Sequence, residues 1–177
     1  MSTMRVFGLA GWSGSGKTTL MTLLLPALIR RGVEVSTVKH AHHEFDIDKP
    51  GKDSYLHREA GAREVMVTSE RRWALMHELG AQTEWPLEAL IRQMTPVDLL
   101  LVEGFKYERH PKLEVYRASV GKPLLAPDDA QIVAIASDAV VPGTTLPCLP
   151  LDDADAIASF IIAHCGIEAG DRGSAQR

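Results

Sequence analysis

The sequence is short of cysteine and of basic charge, and each shortage excludes a class of protein. Cys148 and Cys165 are the only cysteines among 177 residues, too few to cross-link a domain of this size, and no CxxC pair suggests a structural zinc site. The formal charge of −4 argues against a protein that binds nucleic acid mainly by its charge, since such proteins carry a basic face. We therefore expect free thiols in a reducing compartment and no nucleic-acid partner.

Long hydrophobic runs are also missing. The apolar run Met4–Gly11 leads at once into a polar, glycine-rich loop, and Leu20–Ile29 contains Pro26 and is followed by two arginines. A helix that crosses a bilayer needs about 20 apolar residues, and neither run is that long. We expect no signal peptide, no membrane partner and a cytoplasmic location.

What the sequence does contain is an alternation of short apolar runs with longer stretches of helical period. This alternation predicts βαβ units and an α/β fold, a mainly parallel sheet with helices on both faces. Within it we predict a buried strand, Glu64–Thr68, paired antiparallel with Arg72–His77. Val97–Val102 is the most apolar strand and should be the most central. We predict a single domain over residues 1–166, followed by a disordered tail over 167–177.

The clearest motif is the loop GWSGSGKT at residues 11–18, which matches G-x-x-x-x-G-K-[ST] at every position. Glycines let backbone N–H groups converge on an anion, the lysine adds positive charge for the β- and γ-phosphates, and the threonine hydroxyl suits Mg²⁺. A strand precedes the loop and a helix follows, as in P-loop NTPases, so we predict a site for a purine nucleotide with Mg²⁺. The predicted nucleotide-binding residues are Gly11, Trp12, Ser13, Gly14, Ser15, Gly16, Lys17, Thr18 and Thr19.

A P-loop works together with a carboxylate, which usually ends a buried strand. Glu103 directly follows Leu99–Val102, at the carboxyl edge where ligands of open α/β sheets bind. Asp98 lies at the other end of that strand, roughly 16 Å away at the rise of a strand. We therefore predict that Glu103 completes the magnesium shell or orients a water, and that Lys17 and Glu103 are catalytic. An acid that only caps the strand is the alternative.

A loop rich in histidine and acid follows the second strand. Neighbouring histidines on one strand end point in different directions, so a zinc site from His40, His42 and His43 is not expected. Asp46 and Asp48 could serve the magnesium ion through water. A solvated loop and a loop that contacts nucleotide or substrate are equal alternatives.

With the P-loop and the segment VEGFK at residues 102–106, the sequence resembles the MobB family, the GTP-binding adapter proteins of molybdopterin guanine dinucleotide biosynthesis. Further segments that match are Val38–His40, Phe45–Ser54 and Pro111–Arg117. The P-loop alone is unspecific, whereas the pairing of DIDKPGKDS with EGFK is far more specific.

The resemblance implies a GTP-binding homodimer with weak GTPase activity. It would assist the nucleotidyltransferase that forms molybdopterin guanine dinucleotide from the molybdenum cofactor. By the same resemblance, Thr18, Asp48 and Glu103 lie near the metal. A groove for anionic molybdopterin or for the partner enzyme would be bordered by His40, Asp46, Lys52, Asp53, Lys106 and Lys112.

Two positions bear on turnover and on base selectivity. Related dimeric ATPases carry a second lysine early in the loop that reaches the other subunit's phosphate, and Trp12 stands in that neighbourhood here. Loss of such a cation, often worth ~10³–10⁵ in rate, predicts slow hydrolysis. The familiar Asn-Lys-x-Asp segment is absent; Asp138, after a predicted strand, could accept from the N1–H and 2-amino groups of guanine. An ordinary turn aspartate is the alternative.

The alternative function is a P-loop small-molecule kinase that uses ATP, since Val-Glu-Gly also occurs in uridine-kinase-like and dethiobiotin-synthetase-like enzymes. Such an enzyme needs an acceptor-side base and often an arginine-bearing lid. Arg71 and Arg72 are candidates for a lid, but their segment predicts the start of a strand. A module whose nucleotide only sets its conformation is a further alternative, close to the adapter.

Overall fold

The computed structural model describes residues 4–41, 45–105 and 108–168. The chain divides into two compact units, the first comprising Met1–His40 and Met94–Arg177 and the second Ala41–Gln93. The predictions for His42, His43, Lys106 and the tail beyond residue 168 fall outside the described residues. The expectation of one domain over residues 1–166 stays a prediction. None of the helices in the described part of the chain is long and apolar enough to span a bilayer.

Strands and helices alternate along the chain, as the apolar pattern predicts. The described strands are β1 (Arg5–Ala10), β2 (Val35–Lys39), β3 (Glu64–Thr68), β4 (Trp73–His77), β5 (Leu99–Glu103), β6 (Lys112–Tyr116), β7 (Ile132–Ser137) and β8 (Cys148–Pro150). The described α-helices are α1 (Lys17–Ile29), α2 (Asp53–Glu59), α3 (Leu87–Ile91) and α4 (Ala154–Cys165).

A six-stranded sheet in the order β2-β5-β1-β6-β7-β8 forms the first unit, and all of its neighbouring strands run parallel. The prediction that the apolar segment 97–102 is the most central strand is wrong, because β5 is second from the edge and β1 and β6 hold the middle. Leu99–Val102 are nevertheless fully buried, since a parallel strand inside a sheet is covered on both faces.

Helices α1 and α4 pack on each other and join the apolar core of the sheet. Leu24 and Leu28 of α1 are fully buried, as are Ile157 and Ile161 of α4. The end of α1 has a common form: Gly32 is left-handed with φ 76, and the N–H of the following residue donates to the carbonyl of Leu28 at 3.2 Å.

The second unit contains α2, the β3–β4 hairpin and α3. The two strands pair antiparallel, as predicted. The prediction that Glu64–Thr68 is a buried strand is wrong, because only Val65 is buried in it. Met66, Leu75 and Trp73 share the opposite face of the hairpin and are exposed, since a two-stranded sheet offers no further strands to cover them.

One buried carboxylate, that of Glu114 in β6, organises the loop that follows this strand. It accepts hydrogen bonds from the N–H groups of Leu125 at 2.7 Å and Ala126 at 2.9 Å. Burial raises the pKa of Glu114 above its ordinary value, and the two N–H donors oppose this. The folded state therefore favours the protonated carboxyl relative to the unfolded chain.

We expect the stability conferred by Glu114, measured against Glu114→Gln, to decline as the pH rises. Because the pKa of Glu114 is raised in the folded state, its contribution to the free energy of unfolding is fully present below the ordinary pKa of 4.5. This contribution is lost as the pH rises through the raised pKa of the folded state. Urea unfolding at a series of pH values on both sides of 4.5 measures this difference. Glu114→Ala, which leaves both donors without their acceptor, should be about 1–3 kcal/mol less stable than Glu114→Gln, by an amount that does not change with pH. A constant difference between native protein and Glu114→Gln would contradict the expectation.

Candidate nucleotide-binding site

The glycine-rich loop connects the end of β1 to the start of α1, as predicted. Gly11, Gly14 and Gly16 have positive φ angles of 141, 81 and 99, a region that side chains disfavour. A Cβ at Gly11 would lie 2.5 Å from the carbonyl oxygen of Val115 in β6, so this glycine also allows a close approach of the two strands. The loop thus has the backbone form of an anion-binding nest that ends at a helix N-terminus.

Lys17 is the first residue of α1, and its side chain folds back over the loop. Its ammonium donates hydrogen bonds to the carbonyl oxygens of Gly11 and Trp12, both at 2.9 Å. The positive charge therefore lies beside the loop, where it can attract an anion bound by the backbone amides.

Thr18 and Glu103 meet at the carboxyl edge of the sheet. The Thr18 hydroxyl donates to Glu103 Oε1 at 3.0 Å, and Lys39 Nζ lies 4.0 Å from the same oxygen. Mg²⁺ is commonly held by one or two protein oxygens together with phosphate and water, so this hydroxyl and carboxylate fit the ion. Three or more histidine, cysteine or acidic residues grouped to hold a metal are not found among the described residues.

A groove of about 440 Å³ opens beside the loop within the first unit. Asp138, predicted to read guanine, lines this groove one residue beyond β7. Its Oδ2 accepts from Arg117 Nη1 at 2.5 Å, while Arg117 Nε donates to the Ser15 carbonyl at 3.1 Å. The remaining lining residues are Gly16, Thr19, Leu20, Leu23, Ser137, Pro150, Leu151 and Asp152.

Sequence reasoning did not assign Arg117 or Asp152 to a site. Each follows the end of a parallel strand, β6 and β8 respectively, by one or two residues. The placement rule that identifies Glu103 applies equally to Arg117. β8 has only three residues, too few for a periodic pattern to predict. The same rule could therefore not be applied to Asp152, because the strand that precedes it was not predicted.

Trp12 is held against the loop that follows β6. Its indole N–H donates to the carbonyl of Pro123 at 2.8 Å, and Lys122 Nζ lies 5.8 Å from its ring centroid. Trp12, which stands in the neighbourhood of the second loop lysine of related ATPases, therefore makes its contacts within its own chain.

The predicted groove residues fall into different surroundings. The ring of His40 lies 4.7 Å from that of Phe105, a residue with a left-handed φ of 48. Lys112 is only 1% exposed, and its ammonium donates to the Glu108 carbonyl and to Asp129 at 3.0 Å. The prediction that Lys112 borders an open groove does not fit this structure, because its charge is buried and already paired inside the first unit.

In the second unit, Asp46 and Asp48 accept hydrogen bonds from Arg58 at 2.8 and 3.2 Å. Asp48 is therefore tied within its own unit, and its role near the metal stays a prediction. Lys52 and Asp53 stand exposed at the start of α2, as N-cap and first helical residue.

Arg71 and Arg72, the candidates for a kinase lid, lie in and beside the tight turn that joins β3 to β4. The Ser69 N–H donates to the Arg72 carbonyl at 2.9 Å across this turn. They therefore belong to a hairpin connection.

Comparison with known proteins gives consistent matches. A model of the MobB family, molybdopterin guanine dinucleotide synthesis protein B, matches residues 6–138. The chain is 42% identical over 156 residues to the molybdopterin-guanine dinucleotide biosynthesis adapter protein of Escherichia coli (strain K12), covering 86% of this chain and 89% of that protein. It is also 42% identical over 133 residues to the protein of that name from Haemophilus influenzae, covering 75% of this chain and 74% of that protein.

A solved structure agrees with these matches. The crystal structure of molybdopterin-guanine biosynthesis protein B (mobB) aligns with a TM-score of 0.71 at 27% identity, over 90% of this chain and 99% of that one. The parallel sheet, with a glycine-rich loop between β1 and α1, defines a P-loop protein, which confirms the predicted fold class. More narrowly, the chain belongs to the MobB family, as the resemblance indicates.

We expect Gly11→Ala to destabilise the protein more than Gly14→Ala does. Both substitutions force alanine into a left-handed backbone, at about 1–3 kcal/mol each. Only at Gly11 would the new Cβ also meet the Val115 carbonyl, whereas nothing lies within 4 Å at Gly14. Urea unfolding of the two variants measures the difference, and equal losses would show that Gly11 does not pack tightly on β6.

Proposed function

We propose that this chain binds GTP with Mg²⁺ and acts as an adapter, with at most slow GTP hydrolysis, for the nucleotidyltransferase that forms molybdopterin guanine dinucleotide. The observation that carries the proposal is the convergence of the Lys17 ammonium, the glycine-rich loop and the Thr18–Glu103 pair at one strand edge. The relatives at 42% identity bear the name of biosynthesis adapter proteins.

The phosphates are bound by charge and by backbone amides. Residues 11–18 supply N–H groups and the N-terminus of α1, and Lys17 exchanges its bonds to Gly11 and Trp12 for bonds to the β- and γ-phosphates. The lysine gives up two neutral acceptors for a charged one, so the exchange favours the bound state.

The magnesium ion is held where Thr18 and Glu103 meet. The threonine hydroxyl coordinates the ion, and the Glu103 carboxylate binds it directly or through water. When bound, the ion neutralises phosphate charge and offsets the repulsion between the triphosphate and Glu103. Asp48 stays a third candidate oxygen donor; its Oδ1 accepts from Arg58 within the second unit.

Guanine is read in the groove that Asp138 lines. A carboxylate accepts from both the N1–H and the 2-amino group of guanine, whereas adenine offers no donor at those positions. The proposal is supported by the shared lining of this groove, in which Asp138 stands with Gly16 and Thr19 of the phosphate loop.

A site that binds GTP but hydrolyses it slowly suits the role of an adapter. Trp12 contributes no cation, and its indole is hydrogen-bonded to Pro123. Without a second loop lysine on the developing charge, Lys17 and Glu103 hold the nucleotide with little acceleration of hydrolysis. The bound GTP then serves to set a conformation for the partner enzyme in the cytoplasm.

A homodimer and a groove for molybdopterin belong to the same proposal. The exposed apolar face of the hairpin, with Met66, Trp73 and Leu75, is of the kind that a second copy covers. For the anionic pterin or the partner enzyme, the candidate residues are His40, Asp46, Lys52, Asp53 and Lys106.

Calorimetry with GTP, ATP and GDP, each with and without magnesium, tests this function. We expect GTP with magnesium to bind most tightly, and Lys17→Ala to weaken it about ten- to a hundredfold, the range for losing a hydrogen bond to a charged group. Arg92→Ala, which removes an exposed cation at the end of α3, is the matched control. A preference for ATP would instead favour the kinase, and unchanged GTP affinity of Lys17→Ala would refute the loop assignment.

Glu103→Gln should separate magnesium binding from nucleotide binding. The amide keeps the size of the side chain and can still accept from Thr18, but it lacks the charge that the ion needs. We expect the magnesium concentration required for half-maximal GTP binding to rise about 10- to 100-fold, as is typical when a metal site loses a supporting carboxylate. Glu88→Gln, on the exposed surface of α3, serves for comparison. An equal magnesium requirement in native protein and Glu103→Gln would exclude Glu103 from the metal site.

A further inference from the structure

Arg117 connects two parts of the first unit that come from different strands. It follows β6 directly; its Nε donates to the Ser15 carbonyl in the phosphate loop at 3.1 Å, and its Nη1 donates to Asp138 Oδ2 at 2.5 Å. A guanidinium is planar and rigid, so the direction of one contact constrains the direction of the other. Loop and carboxylate are therefore aligned by one side chain.

The contact to Ser15 also orients an amide of the loop. In a trans peptide the C=O and the N–H point in opposite directions, so a Ser15 carbonyl held by Arg117 turns the Gly16 N–H away from the guanidinium. A Cβ on Gly16 would lie 3.4 Å from Arg117 Nε, which shows how closely the guanidinium rests on the loop. Arg117 thus sets the direction of one backbone amide of the glycine-rich loop.

The contact to Asp138 leaves half of the carboxylate available. Oδ2 is held by Arg117, and Oδ1 makes no hydrogen bond to any of the described residues. Both side chains line the groove beside Gly16. With one oxygen fixed by a cation, the other is held in a defined direction as an acceptor.

Stability does not account for this arrangement. Arg117 is 37% exposed and Asp138 41% exposed, and ion pairs at that exposure contribute little to folding. Variants of Arg117 are therefore expected to fold, which makes the residue accessible to a binding test.

We propose that Arg117 is a positioning residue that determines specificity for guanine nucleotides by aiming Asp138 at the base and the Gly16 amide at the phosphates. The inference rests on the proposed function, since it requires GTP to bind in this groove. It predicts that base recognition and phosphate binding are coupled through one side chain.

The test is calorimetry of Arg117→Gln and Arg117→Lys with GTP, ATP and magnesium tripolyphosphate. We expect the ratio of GTP to ATP affinity to fall at least about tenfold in both variants, and tripolyphosphate to bind several-fold more weakly, as when a hydrogen bond to a charged group is lost. Lysine keeps the charge but is a single point donor, so it should not restore both contacts. Arg30→Gln, which removes an exposed arginine paired with Asp155, is the matched control.

A double-mutant cycle separates positioning from a direct contact with the base. If Arg117 acts on guanine through Asp138, Arg117→Gln should not reduce the GTP to ATP ratio further in an Asp138→Asn background. The tripolyphosphate affinity should still fall in that background, because it depends on the loop and not on Asp138.

The outcomes distinguish this inference from the proposed function. Native protein without a preference for GTP would refute the proposed function, and this inference with it. Native protein that prefers GTP, together with an Arg117→Gln variant of unchanged preference and tripolyphosphate affinity, would overturn only the inference. Full recovery by Arg117→Lys would also overturn it, because charge alone would then suffice.

Discussion

Parallel hydrogen bonding of β1 with β5 and β6 is the constraint on which the rest of the first unit depends. Parallel pairing places the carboxyl ends of all the strands at one edge, and residues far apart in sequence become neighbours there. Leu9 is in register with Glu103, and Ala10 with Glu114, so the turn after β1 emerges between two acidic side chains. One of these carboxylates faces Thr18, and the other holds the loop after β6.

Three charged side chains of this unit form hydrogen bonds to backbone atoms, and one of them also pairs with an opposite charge. Glu114 binds two amides, the buried ammonium of Lys112 binds a carbonyl and Asp129, and Lys17 binds two carbonyls. An isolated charge would be costly in such surroundings, whereas these contacts offset the loss of water. The charge of Lys112 is therefore paired inside the unit, whereas that of Lys17 lies beside the phosphate loop.

Much of this could be predicted from sequence because the informative signals are local. A glycine-rich octapeptide between a strand and a helix identifies the loop, and an acid directly after four apolar residues identifies Glu103. The centre of the sheet could not be predicted in the same way, since apolar content reports burial on two faces and not the order of strands. The burial of Lys112 could not be predicted either, because its charge is paired with Asp129, seventeen positions further along the chain. Arg117 lacked a motif of its own, and only the fold brings it to Ser15 and Asp138.

Trp12 has a mechanical consequence. Its indole is tied to Pro123, and two residues further on the same segment is anchored by Glu114. The start of the phosphate loop is thus hydrogen-bonded to residues 122–126, and these residues are in turn hydrogen-bonded to β6. If the phosphate loop moves, residues 122–126 must either move with it or lose the hydrogen bond to Trp12. A displacement of the loop can therefore be passed on to the segment that follows β6.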